Sequence, residues 1–192
     1  MIQGVKKLHD SLWKVAGDRI AAGTYCSGVM MAGGSISLKE VIPEQLEEPL
    51  ILFQRAGAVV KRERERLFIC MKDRPDPLKI STGPYPGFPT DMQSLFMAFL
   101  SIAKGESCIT ENVFEDRFGT AAELVKMGAD ITCQGKTAVI KGVPLLAGTK
   151  VRALDLRGAA ALVMAALGAE GSTIIERLLT ILKEDTKISA VI

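Results

Sequence analysis

Three stretches of the chain share one pattern of polar and apolar positions. In each, an aspartate precedes a run of small apolar residues with the length of a helix, and a glycine and a short strand follow; the stretches are 18–36, 91–109 and 155–174. The helical runs of the second and third stretches are apolar at almost every position. Because a helix that is apolar on every face is buried, the pattern predicts repeated units with buried helices.

Two of these units continue into a second helix and a pair of strands. The amphipathic stretches 50–58 and 121–129 both end in Gly-Ala, and segments of alternating polarity follow them at 59–71 and 130–141. Such segments predict β-hairpins, the second of which turns at Gly135. The predicted order within a unit is therefore strand–helix–strand–helix–strand–strand.

Buried helices combined with half-exposed strands are compatible with two α/β architectures. One is an inside-out, barrel-like domain of repeated βαβαββ units, with its helices at the centre and its sheets outside. The other is an ordinary sandwich, in which each helix covers one face of a sheet. The hydrophobic pattern alone leaves both open.

The phase of the repeat predicts the domain organisation. Residues 2–8 are similar to 140–146, so we interpret residues 1–15 as the closing strand and linker of a missing preceding domain. We expect residues 16–192 to form one domain of three units, the third of them incomplete, at about 18–77, 78–150 and 151–192.

Composition restricts the class of protein. The 192 residues are 48% hydrophobic and 24% charged, which excludes intrinsic disorder and suits one domain or two small ones. The net charge of +2 and the alternating signs over 61–66 argue against a nucleic-acid partner. No apolar run reaches the roughly 20 residues of a membrane span, and the N-terminus lacks a signal-peptide pattern, so we expect a cytoplasmic protein without a membrane partner.

Metal and cysteine chemistry find little support in the sequence. The only histidine is His9, and the four cysteines are far apart with no CxxC pair, so we expect no metal site. We interpret the cysteines as small buried apolar side chains. Phosphate-binding glycine motifs are absent as well.

The candidate chemistry begins at the loop 83–89, which holds three prolines and two glycines and leads to Asp91 at the start of a buried helix. Two interpretations of Asp91 are open. It could cap the helix, which would also explain Asp18 and Asp155 at the same repeat position. It could instead carry chemistry, since a cap does not require so rigid a loop. Local physics favours the cap.

Two arginines are further candidates. Arg117 follows the strand predicted over 108–113 and could form a surface ion pair or clamp a ligand. Arg157, two residues after Asp155, could pair with that aspartate or help to bind an anion at the start of a helix. In both cases the surface pair is the simpler interpretation.

Four motifs resemble one family of enolpyruvyl transferases, the UDP-N-acetylglucosamine 1-carboxyvinyltransferases. The motifs are PYPGFPTDMQ, ITENVFEDRF, LVKMGADI and RALDLR. The resemblance extends from about residue 2 to residue 177 and covers only the C-terminal half of the family's chain. It implies the inside-out fold of repeated βαβαββ units.

The resemblance also implies an activity, with no cofactor. Family members transfer enolpyruvyl from phosphoenolpyruvate to the 3′-hydroxyl of UDP-N-acetylglucosamine in peptidoglycan synthesis, and hence serve cell wall biogenesis, cell shape and cell division. By motif position, Asp91 corresponds to the catalytic base, which also contacts the sugar. The other substrate-binding positions are Val113 and Phe114 for the sugar nucleotide, Arg117 for the cleft, and Asp155 and Arg157 for phosphoenolpyruvate.

Several family features are missing from this sequence. The reactive cysteine loop and the lysine for phosphoenolpyruvate belong to the family's N-terminal half, and none of the four cysteines lies in that motif. Lys183 stands where the family has a phosphate-binding arginine, and 119–122 also departs from the family pattern. We therefore expect the isolated chain to be catalytically incomplete and to need an N-terminal domain, in cis or in trans. The alternatives are a non-catalytic remnant, or the sister enzyme that acts on shikimate 3-phosphate.

Overall fold

A computed structural model describes residues 3–178 of the chain. Its α-helices are α1 (Arg19–Ala32), α2 (Glu47–Arg55), α3 (Gln93–Leu100), α4 (Gly119–Lys126) and α5 (Leu156–Leu167), with 3₁₀ turns at Pro43–Leu46 and Thr90–Met92. The strands are β1 (Gly34–Lys39), β2 (Val59–Glu63), β3 (Arg66–Met71), β4 (Lys79–Ser81), β5 (Glu106–Thr110), β6 (Asp130–Gln134), β7 (Thr137–Lys141), β8 (Leu146–Ala147), β9 (Lys150–Arg152), β10 (Ala169–Glu170) and β11 (Ile174–Glu176).

The helices α1, α3 and α5 pack against one another at the centre of the molecule. Every residue of α3 is buried, as its uniformly apolar sequence predicts. Small residues allow the close approach of the helices. A Cβ atom on Gly23 of α1 would overlap Met92, and one at Gly168, after α5, would lie 2.8 Å from the carbonyl oxygen of Met31.

The sheets lie outside these helices. One sheet has the strand order β1-β3-β2 and is antiparallel, and the other has the order β4-β5-β7-β6 with β4 parallel to β5. Two further pairs, β8–β10 and β9–β11, are parallel. In β3 the side chains of Leu67, Ile69 and Met71 face the core and those between them face outward. This arrangement confirms the inside-out architecture rather than the ordinary sandwich.

Four phenylalanines form the centre of the core. The ring of Phe96 on α3 lies 4.8 Å from that of Phe53 on α2, 4.7 Å from that of Phe99 and 4.7 Å from that of Phe88, measured between centroids. The contact with Phe88 is edge-to-face, one of the geometries that aromatic rings prefer. The proline-rich loop is thereby tied to the central helix.

The secondary structure follows the predicted repeat. The middle unit has the full order β4-α3-β5-α4-β6-β7, and the hairpin between β6 and β7 turns at Gly135, whose φ of 55° is the left-handed conformation that glycine adopts readily. Residues 3–8 are not in a strand in this structure, and their interpretation as the closing strand of a preceding domain stays a prediction. The domain boundaries stay a prediction.

The burial of the cysteines differs from expectation. Only Cys26 is buried, where removal from water raises its pKa to about 12. Cys70 and Cys108 are half-buried because the alternation of their strands turns them to the outer sheet face, and Cys133 is exposed. The interpretation of all four as buried apolar side chains is therefore wrong for three of them.

Candidate functional site

The proline-rich loop is held in shape by hydrogen bonds within its own backbone. The backbone N–H of Gly83 donates to the carbonyl of Phe88 over 3.0 Å, and that of Gly87 donates to the carbonyl of Pro84 over 2.8 Å. The side chain of Phe88 is buried against Phe96. The loop leads into the 3₁₀ turn Thr90–Met92, whose middle residue is Asp91. The turn therefore fixes the direction in which the Asp91 side chain projects.

Asp91 does not cap a helix. Neither the 3₁₀ turn nor α3 has a side-chain cap hydrogen bond. Its two carboxylate oxygens accept from two guanidinium groups instead, Oδ1 from Arg117 over 2.9 Å and Oδ2 from Arg157 over 3.2 Å. The capping interpretation is thus wrong for this aspartate, and the simple pairing of Arg157 with Asp155 is wrong as well.

The two aspartates at the same repeat position do cap their helices. Asp18 accepts from the backbone N–H groups of Ile20 and Ala21, at 2.7 and 3.2 Å. Asp155 accepts from the N–H of Gly158 over 2.8 Å at the start of α5. Asp91 therefore differs from both in what its carboxylate contacts, although the sequence pattern treats the three alike.

A cleft of about 370 Å³ lies beside the ion pairs. Its walls are the side chains Phe114, Asp116, Arg117, Asp155, Leu156 and Arg157. The guanidinium of Arg117 lies 4.6 Å from the ring centroid of Phe114, a cation–π contact that helps to orient it. Two cationic groups in one cleft suit an anionic ligand, because a guanidinium can donate two parallel hydrogen bonds to a phosphate or carboxylate.

Five of the residues selected from the sequence lie together at this place. Asp91, Arg117 and Arg157 are in direct contact, and Phe114 and Asp155 line the same cleft. The half-exposed Val113 precedes Phe114 in the loop after β5. Lys183 lies outside the described residues. The ligand contacts assigned to these positions stay predictions.

One residue of the site was not predicted. Glu111 follows β5, is only 1% exposed, and accepts hydrogen bonds from the hydroxyls of Thr82 and Thr90 and from the N–H groups of Val113 and Phe114. Burial raises the pKa of this carboxyl, but the four hydrogen bonds outweigh it and hold the pKa below its usual value. Glu111 stands within the motif ITENVFEDRF, where no periodic pattern indicates burial, so sequence reasoning missed it.

Other features of the surface contribute nothing to this site. A more voluminous depression, about 670 Å³, lies at the tip of the β2–β3 hairpin among side chains of both signs and contains none of the motif residues. In residues 3–178 no group of three or more histidine, cysteine, aspartate or glutamate side chains is arranged to hold a metal ion. No helix of this part of the chain is long and apolar enough to cross a membrane.

Comparison with known sequences identifies the family. The sequence model for EPSP synthase (3-phosphoshikimate 1-carboxyvinyltransferase) matches residues 1–183. The chain belongs to this family. Among its curated relatives, the UDP-N-acetylglucosamine 1-carboxyvinyltransferase 2 of Caldanaerobacter subterraneus subsp. tengcongensis is 45% identical over 177 residues, and the UDP-N-acetylglucosamine 1-carboxyvinyltransferase of Aeromonas hydrophila is 42% identical over 178 residues. These relatives confirm the resemblance found in the motifs.

Solved structures support the fold. The enolpyruvyl transferase NikO from Streptomyces tendae superposes with a TM-score of 0.77 at 26% identity, over 88% of this chain and 40% of that one. EPSP synthase from Acinetobacter baumannii shares the fold, with a TM-score of 0.65 at 20% identity over 85% of this chain and 39% of that one. The match to the two curated relatives covers 92% of this chain but only 42% and 43% of theirs.

Proposed function

We propose that this chain forms one wall of an enolpyruvyl transferase active site. The reaction is transfer of enolpyruvyl from phosphoenolpyruvate to the 3′-hydroxyl of UDP-N-acetylglucosamine, a step of peptidoglycan precursor synthesis that suits a cytoplasmic protein. The observation that carries the proposal is the carboxylate of Asp91, which is held by two arginines that line the cleft, Arg117 and Arg157, rather than used as a helix cap. The identity of 42–45% to the named transferases supports the substrate pair.

The geometry suits the first step of such a transfer. In the reaction the sugar oxygen bonds to C2 of phosphoenolpyruvate while C3 gains a proton; phosphate then leaves and C3 loses a proton, which forms the enol ether. Asp91 would accept the proton of the sugar hydroxyl, since a general base has to lie within hydrogen-bond reach of that proton. The two guanidinium groups would fix its orientation and face the anionic substrates.

Supporting roles follow for the neighbouring residues. We propose that Val113 and Phe114 contact the sugar nucleotide through the loop after β5, and that Asp155 and Arg157 face phosphoenolpyruvate across the cleft. The catalytic cysteine loop and further phosphate-binding groups would come from an N-terminal domain, because a transition state enclosed by two walls needs both to position it. The chain alone is then expected to bind substrate weakly and to turn none over.

Binding to the chain itself tests the proposal directly. Amide signals of the ¹⁵N-labelled chain are followed by NMR during titration with UDP-N-acetylglucosamine, and in parallel with shikimate 3-phosphate. We expect saturable shifts at Val113, Phe114 and Arg117 with the sugar nucleotide only. Selective shifts with shikimate 3-phosphate would favour the sister activity, and no shift with either ligand would favour a non-catalytic remnant.

Turnover provides the second measurement. Release of inorganic phosphate from phosphoenolpyruvate and UDP-N-acetylglucosamine is measured for the chain alone and for the chain mixed with the N-terminal part of the Caldanaerobacter relative. We expect release only in the mixture, and its loss when the chain carries Asp91→Ala. Phosphate release by the chain alone would contradict the assignment of half a site.

A further inference from the structure

A single buried carboxylate joins two of the segments that carry the candidate site. The Oε2 atom of Glu111 accepts from the hydroxyl of Thr90 over 2.8 Å. Its Oε1 atom accepts from the hydroxyl of Thr82 over 2.8 Å and from the backbone N–H groups of Val113 and Phe114 over 2.8 and 3.1 Å. Every one of these donors lies in the proline-rich loop region or in the loop after β5.

The partners of Glu111 are next to the residues that meet at the cleft. Thr90 directly precedes Asp91 in the 3₁₀ turn. Phe114 packs its ring on the guanidinium of Arg117, which in turn donates to Asp91. A closed loop of contacts therefore runs from Glu111 through Thr90 to Asp91, on to Arg117 and Phe114, and back to Glu111.

A neighbouring amide strengthens the same connection. Asn112 donates from its side chain to the hydroxyl of Ser81 over 2.7 Å and to the carbonyl of Thr82 over 3.2 Å, and its backbone N–H donates to the hydroxyl of Thr82 over 2.8 Å. Since these contacts fix the turn at 111–114 to the end of β4, the position of Glu111 is determined by its surroundings. Its four donors, one of them in a buried hydrogen bond and three in partly buried ones, would lose their acceptor if the carboxylate were removed.

We propose that Glu111 is a positioning residue of the candidate site, whose carboxylate sets the separation of Asp91 from Arg117 by binding the segments on which both lie. It does not face the cleft and touches no reacting group. Its effect on substrate rests on the proposed function, whereas its effect on the geometry of Asp91 and Arg117 does not. The two parts can be tested separately.

Four variants distinguish a positioning role of Glu111 from a general contribution of this residue to the stability of the fold. Glu111→Gln keeps an acceptor for three of the donors, and its amide can donate to the Thr90 hydroxyl, so it is the conservative replacement. Glu111→Ala removes every acceptor. Thr90→Val cuts only the link to the Asp91 turn. Glu123→Ala is the matched control, because Glu123 is also a buried carboxylate that accepts from a backbone N–H, that of Arg152, but it makes no contact with Asp91 or Arg117.

The first readout is independent of any ligand. The backbone amide signal of Asp91 and the side-chain Nε–H signal of Arg117 are recorded by NMR in each variant. We expect both to move in Glu111→Ala and Thr90→Val and to stay in place in Glu111→Gln and Glu123→Ala. Because Thr90 is bonded to Asp91, only the Arg117 signal is decisive in Thr90→Val. The proposal is wrong if Thr90→Val leaves the Arg117 signal unchanged, or if Glu123→Ala moves it as far; Thr90→Val decides the matter should Glu111→Ala not fold.

The second readout is the dissociation constant for UDP-N-acetylglucosamine. We expect Glu111→Ala to raise it at least about tenfold, the order lost with a charge-assisted hydrogen bond, and Glu111→Gln and Glu123→Ala to change it less than about threefold. An equal loss in Glu111→Ala and Glu123→Ala would overturn the positioning role. If the unmodified chain binds no UDP-N-acetylglucosamine, the proposed function fails, while the ligand-independent readout still decides the role of Glu111.

Discussion

Replacing each of the three equivalent aspartates with asparagine distinguishes a helix cap from the centre of an ion-pair cluster. Asparagine caps helices about as well as aspartate does, because its side-chain oxygen accepts the same backbone hydrogen bonds. We therefore expect Asp18→Asn and Asp155→Asn to lower the free energy of unfolding by less than about 0.5 kcal/mol, and the corresponding alanine variants by about 1 kcal/mol.

The expectation for Asp91 is different because its partners are charged. Asparagine offers one acceptor and no charge to two guanidinium groups, so Asp91→Asn should cost nearly as much as Asp91→Ala. The side chain of Asp91 is 37% exposed, and those of Arg117 and Arg157 are 20% and 31% exposed, so both ion pairs are partly screened by water. At roughly 0.2–1 kcal/mol for each exposed pair, the combined loss is about 1 kcal/mol.

Urea unfolding of the six variants, followed by circular dichroism, measures these differences. A repeat near 1 M NaCl gives a second criterion, since the Debye length falls to about 3 Å and the cost of Asp91→Asn should shrink. The reasoning would be refuted if Asp91→Asn were as stable as the unmodified chain while Asp91→Ala was destabilised, which is the behaviour of a cap. A cost for Asp91→Asn that does not respond to salt would count against the ion pairs.

The remaining predictions concern packing and pH. Phe96→Ala should lower the free energy of unfolding in urea by about 3–5 kcal/mol, because it leaves a cavity among aromatic rings that contact it at 4.7–4.8 Å. Gly142→Ala should cost about 1–3 kcal/mol, since its Cβ would overlap backbone atoms of a neighbouring segment, whereas Gly4→Ala, with nothing near its Cβ, should be neutral. Burial raises the pKa of Glu123, but hydrogen bonds from a lysine and a backbone N–H hold it below the usual value. Its contribution to stability is therefore complete above about pH 4.3 and is lost as the pH falls through the lowered pKa, so Glu123→Gln should flatten the acid limb of the stability profile.

Much of the fold could be predicted because the repeat is visible in the regular spacing of polar and apolar residues. The uniformly apolar stretch at 95–100 predicts a helix without a solvent face, and α3 has none. Alternation over 59–71 predicts a hairpin with one face inward, which β2 and β3 form. Such patterns depend only on the polarity of residues within a short stretch of sequence. They can therefore be recognised without knowledge of tertiary contacts.

The site was less accessible to sequence reasoning because its contacts join distant segments. Asp91 and Arg157 are 66 positions apart, and nothing local connects them. Glu111 is buried because two loops close over it. The hydroxyl and amide groups that donate to its carboxylate do not recur at regular intervals in the sequence, so no periodic pattern indicates them. The resemblance to a family supplied the candidate residues, whereas the positioning glutamate became visible only from the hydrogen bonds.

The three aspartates occupy the same position of the repeat but have different contacts, because the backbone around Asp91 differs from that around Asp18 and Asp155. In α1 and α5 the aspartate directly precedes the helix, so its carboxylate reaches the free N–H groups of the first turn. Before α3, the anchored proline-rich loop inserts a 3₁₀ turn, and Asp91 lies within that turn instead of ahead of the helix. Its carboxylate is then available to Arg117, from the loop after β5, and to Arg157, from the first turn of α5. The cluster thus requires α5 to pack beside α3, so the same contact between helices that forms the core also brings the ion pairs together.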